Sequence, residues 1–232
     1  MSDRRRLVAF DPDHFAKRAE ADRPPDALAA FRYAYHHNLW GGAETRSGPG
    51  SSIAQTTVIA DALPGLCRRY DVRSLLDVPC GTCDWMAKVP LPGIRYTGGD
   101  IVPEVVAEAA RRYETDHRRF LVLDVTRSAL PPADLLLCRD CLVHLSYTDI
   151  VKAVENVRNS TIEYLLTTTF MEESEFRDIV TGDWRPLNLE QPPFSFPRPV
   201  ELLSEQCTEQ SGAFADKALG LWRVRDLPRL SE

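Results

Sequence analysis

Ser74-Leu75-Leu76-Asp77-Val78-Pro79-Cys80-Gly81-Thr82-Cys83-Asp84 is the stretch that decides the fold. Ser74 to Val78 is short and mostly apolar, the pattern of a strand buried on both faces. Pro79 to Cys83 breaks it sharply. Asp84-Trp85-Met86-Ala87-Lys88 then predicts the start of a helix, with Thr82 or Asp84 as its N-cap. A buried strand, a tight turn and a helix N-terminus together open a nucleotide-type pocket in a doubly wound α/β domain.

Working outward, strand and helix signals alternate. Ile94 to Asp100 reads as a second strand, and Pro103 sits well as the first residue of a helix to Tyr113. Arg119 to Asp124 is a third strand, Asp134 to Cys138 a fourth and Ile162 to Thr168 a fifth. Ser146 caps an intervening helix to about Asn159. Upstream, Asp26 caps a helix through Tyr35, and a Gly-rich loop carrying Trp40 and Arg46 follows. Such loops bring backbone close to a ligand. Ser52 and Gln55 form a capping box for a helix that Pro64 and Gly65 are expected to interrupt.

After Phe170 the alternation stops. Met171 to Val180 reads as a further helix, and 181–199 as a Pro-rich segment whose aromatics argue against disorder. Glu201 to Cys207 and Leu219 to Arg225 are strand-like and linked through Ser211-Gly212. The pattern predicts an α/β fold: a mostly parallel sheet, helices on both faces, and an antiparallel C-terminal hairpin. A single domain over 1–232 is expected. Residues 1–50 would form an N-terminal lid or arm, and 51–232 a core carrying the Pro-rich insertion at 181–199.

In Asp77 and Gly81 the chain resembles the class I S-adenosylmethionine (SAM) dependent methyltransferases, whose Rossmann-like domain ends its first strand in an acid before a Gly loop. The departure is that Pro79 and Cys83 replace the outer glycines of that loop. The resemblance implies SAM as cofactor, S-adenosylhomocysteine (SAH) as product, and a cofactor site at Asp77, Pro79, Cys80 and Gly81. Asp100, 23 residues after Asp77, would take the ribose hydroxyls. Ile101 would flank the adenine, while Asp124 and the Val125 N–H would read its edge. Arg139 would reach the methionine carboxylate or an anionic substrate.

The segment after the fourth strand, Cys138 to His144, would face the transferred methyl. Asp140 and His144 are the candidate catalytic residues, His144 as a base with a pKa near neutral. Trp40, Arg46, Trp184 and Arg185 are the candidate substrate contacts, the last two as an aromatic wall and a bidentate donor. Packing roles for His144 and Trp184 stay open. The expected activity is methyl transfer to an N or O atom of a small-molecule acceptor. Alternatives are a glycan or peptide acceptor, a non-catalytic SAM-binding module, or an NAD-dependent dehydrogenase, against which the absence of G-x-G-x-x-G counts.

Cys80/Cys83 and Cys138/Cys141 form two C-x-x-C pairs, but metal use is disfavoured because their spacing is far from that of a zinc ribbon, and no metal is expected. Trp85 reads as core, and His14 and His117 as surface. A net charge of −6 with pI near 5.5 argues against nucleic-acid binding, and Arg4-Arg5-Arg6 is too short to reverse it. No apolar run reaches the roughly 18 residues of a membrane span, and no secretory leader pattern is visible. A cytoplasmic location is the expectation. The pattern assigns no oligomeric state.

Overall fold

The computed structural model describes residues 10–18 and 26–230. The Arg4-Arg5-Arg6 cluster and residues 1–9 and 19–25 of the expected N-terminal arm lie outside them. The elements, in chain order, are α1 (Ala27–His37), α2 (Ile53–Arg69), β1 (Ser74–Asp77), β2 (Arg95–Asp100), α3 (Pro103–Tyr113) and β3 (Arg118–Val122). Then come β4 (Leu135–Cys138), α4 (Tyr147–Arg158), β5 (Tyr164–Phe170), β6 (Glu201–Ser204) and β7 (Lys217–Arg223). They build a 7-stranded sheet of order β3-β2-β1-β4-β5-β7-β6. The strands β1 to β5 run parallel, and β7 lies antiparallel between β5 and β6.

Side-chain alternation assigns the two faces. Leu75, Leu135, Leu137, Leu166 and Leu221 enter one core with Ile59, Leu63 and Leu66 of α2 and Val106 and Ala109 of α3. Leu76, Leu136, Leu165 and Trp222 enter the other with Ile150, Val154 and Val157 of α4. A strand's side chains alternate with period two, so adjacent leucines must face opposite layers, and both layers must be covered. On the second face the Pro-rich segment does part of a helix's work, burying Leu187, Leu189, Phe194 and Phe196.

The caps form where the side chains predict them. Asp26 accepts from the Ala29 N–H, Ser52 from Gln55 and Ser146 from Asp149. The Gln55 side chain does not close its box but pairs with Thr208.

Three helix expectations fail. The predicted helix after β1 is only a 3₁₀ turn, Met86–Lys88. Cys83 stands at φ 61, and Pro90 and Pro92 follow at once, so no i→i−4 ladder can propagate. Conversely, α2 runs unbroken through Pro64. Leu63, Leu66 and Cys67 are buried on its inner face, and that packing outweighs the one lost hydrogen bond. Residues 171–180 form no helix. They run across the start of α4, where Asp178 accepts from the Tyr147 N–H.

Sequence order along the sheet reverses between β1 and β4. A crevice therefore opens at their carboxyl ends, where open α/β sheets hold ligands.

Candidate active site

Asp77 ends β1 in the sheet interior, 3% exposed, and accepts a 2.7 Å hydrogen bond from the Tyr96 hydroxyl of β2. Burial pushes its carboxyl up to about 7, against the lowering effect of that hydrogen bond. Two residues beyond β1 begins the turn containing Gly81, at φ 52. A Cβ there would sit 2.6 Å from the Ser47 Oγ, so only glycine lets the 45–51 loop close against the turn. The Gly81 N–H donates to Asp100 at 3.2 Å, and the Val102 N–H donates to the same carboxylate at 2.9 Å. Burial raises Asp100 to about 6, opposed by these backbone donors.

After β3, Asp124 accepts from the N–H and hydroxyl of Thr126 and pairs with Arg127 at 2.7 Å. A carboxylate has about four acceptor positions, so room for another donor remains. One cavity collects these ends. Its wall holds Asp77, Pro79, Cys80, Gly81, Asp100, Ile101, Asp124, Val125, Arg139, Asp140 and His144, and also Trp40 and Arg46. Phe31 of α1, Ser47, Thr82 and Trp85 also line it. Trp85, expected in the core, packs against it from a half-buried position and also lines the cavity.

At the end of β4 the structure departs from expectation. Arg139 lines the cavity but is already engaged by the protein's own acceptors. Its Nε and Nη2 donate to Glu205 at 3.1 and 2.7 Å, Nη2 also to the Gly50 carbonyl, and Nη1 pairs with Asp140. Lys217 joins the cluster, 2.7 Å from Asp140 and 3.4 Å from Glu205. Burial opposes the charge on Asp140, but Arg139 and Lys217 outweigh it and hold the carboxyl well below its ordinary range. Glu205 and Lys217 were invisible as site residues in the sequence. Antiparallel pairing of Phe170 with Lys217 brings the lysine beside the β4 end, a contact with no local signature.

His144 is half-buried among aromatics, its ring 4.9 Å from Trp40. Its Nδ1 lies 2.8 Å from the Asp183 carbonyl. A carbonyl only accepts, so Nδ1 carries the proton and Nε2 keeps its lone pair. Burial lowers the imidazole to about 4, despite the carbonyl and Asp140, so the near-neutral value expected from sequence is corrected. At neutral pH the ring is uncharged and able to accept a proton.

A second cavity adjoins the first and shares Trp40, Ser47, Asp140 and His144 with it. Trp184 lines it with Phe10, Phe170 and Phe214. Arg185 reaches neither cavity. It is 1% exposed, and its guanidinium donates to the carbonyls of Leu142, Val143 and Leu145. The expected bidentate substrate donor is instead a brace for the His144 turn. His14 is buried at 7% beside Arg18 and Tyr33, not surface as expected, whereas His117 is exposed. All six cysteines are free and buried. Burial pushes the Cys83 thiol up to about 12, and a hydrogen bond with Cys138 together with burial raises Cys141. Among the described residues, no group of three or more His, Cys, Asp and Glu could hold a metal ion.

Residues 75–161 match the family model described as a methyltransferase domain. No curated protein matches the chain in sequence. Two solved structures resemble it over most of both lengths. One is the Burkholderia thailandensis 1,6-didemethyltoxoflavin-N1-methyltransferase, bound to 1,6-didemethyltoxoflavin and SAH. It has a TM-score of 0.59 and 17% identity, and the match covers 88% of this chain and 93% of that one. The other is the N-methyltransferase NodS from Bradyrhizobium japonicum WM9 with SAH, at TM-score 0.57, 17% identity and coverage of 86% and 98%. The methyltransferase domain of bacterial CtHen1-C matches at TM-score 0.54 and 11% identity, covering 74% of this chain and 98% of that one.

Residues 75–161 thus carry a methyltransferase domain, and the fold around them is that of SAH-bound methyltransferases, which makes SAM the cofactor this domain uses.

Proposed function

We propose that the chain methylates an N or O atom of a small-molecule acceptor, with the acceptor in the second cavity and SAM in the first. The observation that carries this reading is the shared wall: Asp140, His144 and Trp40 face both cavities, so a reacting pair can meet there. In the first cavity, the Asp100 carboxylate would take the ribose hydroxyls. Ile101, Leu123 and Val125 would enclose the adenine, and the Gly81 turn and Asp77 would hold the amino-acid end. SAM supplies a methyl group already activated on a sulfonium. The chain's own part is alignment and exclusion of water.

His144 adds a neutral acceptor, its Nε2, for a proton leaving the acceptor. Asp140, held ionised between Arg139 and Lys217, supplies a fixed negative charge beside the reacting atoms, able to stabilise a cationic nitrogen or sulfonium. The B. thailandensis neighbour's complex with a small heterocycle supports a small acceptor. The free thiols fit a reducing compartment such as the cytoplasm, and among the described residues no helix is long and apolar enough to cross a membrane.

Calorimetric titration with SAH and NADH, on wild type and Asp100→Ala, tests the cofactor site. SAH binding lost in the variant supports it; NADH binding, or SAH affinity unchanged by the substitution, overturns it. His144→Ala and Asp140→Asn then separate catalysis from binding, since the reading requires lower turnover at unchanged SAH affinity.

A further inference from the structure

The second cavity carries an unequal set of charges. Arg139 is taken up by Glu205, and Lys217 lies closest to Asp140. Glu209 remains outside those pairs, with the weakly donating Cys207 thiol at 3.6 Å as its hydrogen-bond partner. The cavity's own charged lining is one cation, Lys217, against two carboxylates, Asp140 and Glu209.

The geometry around Gly50 shows that this charge is gathered at one point. A Cβ at Gly50 would stand 3.3 Å from the carboxylate oxygens of both Asp140 and Glu209 and 3.5 Å from the Lys217 ammonium. One wall of the cavity is aromatic. Trp184 packs edge-on to Phe214 at 5.3 Å, to Phe170 at 6.2 Å and to Phe10 at 6.3 Å. Such a wall suits the body of a ring-shaped ligand. A carboxylate with spare acceptor capacity suits a donor edge, and a net negative set repels an anion.

We propose that Glu209 is a specificity-determining residue, and that the acceptor is a ring-bodied molecule presenting an amine or hydroxyl donor edge and no negative charge. This rests on the assignment of the second cavity to the acceptor. The cation or donor edge is read by Glu209, the ring by Trp184 and its neighbours, and the atom to be methylated is left toward Asp140 and His144.

The test uses three probes of similar size: phenethylamine, 2-phenylethanol and phenylacetate. Each is titrated by calorimetry into the protein with and without SAH. Phenethylamine is expected to bind about tenfold tighter than phenylacetate, a modest value for a partly solvated charge. Glu209→Gln should abolish that preference while leaving SAH affinity intact, because Glu209 lines only the second cavity. Trp184→Ala should weaken all three probes together. If 2-phenylethanol binds like the amine, the donor edge rather than its positive charge is what Glu209 reads, which the proposal accommodates.

Phenylacetate binding as tightly as phenethylamine, a preference that survives Glu209→Gln, or no binding of any probe would each overturn the proposal. Failure of SAH to bind would sink the cofactor assignment instead, and the probe preference would still be read on the protein alone.

Discussion

Glu205→Gln should be among the most damaging single substitutions in this protein, although Glu205 touches neither cavity wall. Its side chain is 1% exposed and receives two hydrogen bonds from Arg139, at 2.7 and 3.1 Å, with Lys217 at 3.4 Å. The amide keeps the shape but removes the charge, leaving two buried cations to share Asp140. Removing one partner of a buried ion pair costs about 3–5 kcal/mol, because the remaining charge stays desolvated. At this chain length 1 kcal/mol moves the melting temperature by about 2–4 °C, so a fall of roughly 6–20 °C is expected.

Differential scanning calorimetry without ligand is the assay, since bound SAH would itself raise the midpoint. The companion variant is Arg139→Met with Glu205→Leu, which removes the pair and leaves Lys217 with Asp140. It should recover most of the loss, as apolar replacement of buried pairs often does. A drop of under about 2 °C for Glu205→Gln, or a double variant worse than the single, would refute the claim that desolvated charge governs this cluster.

Four further outcomes follow from the same geometry. Asp77 and Asp100 have folded-state values raised to about 7 and about 6 from 3.8, so the folded protein holds protons that the unfolded chain has released. Their contribution to stability is therefore greatest at low pH and declines as pH rises from about 4 to 7, and Asp77→Asn should be the more stable protein near pH 8 but not near pH 4, by thermal melts. With His144 lowered to about 4, kcat/KM should show no base limb near 6.5 and should fall only towards pH 4; a limb at 6.5 that His144→Gln removes would contradict the desolvated, neutral ring. Gly81→Ala should weaken SAH binding about tenfold or more in calorimetry, through its positive φ and the 2.6 Å approach to Ser47, and Ser47→Gly should restore part of it. Arg185→Met strips donors from three carbonyls of the 142–145 turn and should lower both the melting temperature and turnover, with thermal melts and SAH release as readouts.

What the sequence determined by itself is local or periodic. Leu75 and Leu76 already say that β1 is covered on both faces, and Asp26, Ser52 and Ser146 already mark their helix starts, because caps and alternation act within a few residues. The acids at 77, 100 and 124 were legible because the first two close their strands and the third follows β3 by two residues, and parallel strands must bring those ends to one edge. Tertiary structure decided the rest. Whether Met86 would begin a helix and whether Pro64 would break one depended on packing and backbone geometry that outweigh local propensity.

Arg139 and Arg185 look alike in sequence as ligand-binding cations, yet both are spent inside the protein. The partners of Arg139, Glu205 and Gly50, lie far from it along the chain, and those of Arg185 are backbone carbonyls, which no side-chain pattern reveals. Lys217 reaches Asp140 only through the antiparallel register of β7 on β5, and Glu209 faces the second cavity only because the β6–β7 connection folds back over it. Local interactions write themselves into spacing and composition; contacts between distant segments are set by register and burial, which exist only once the chain has folded.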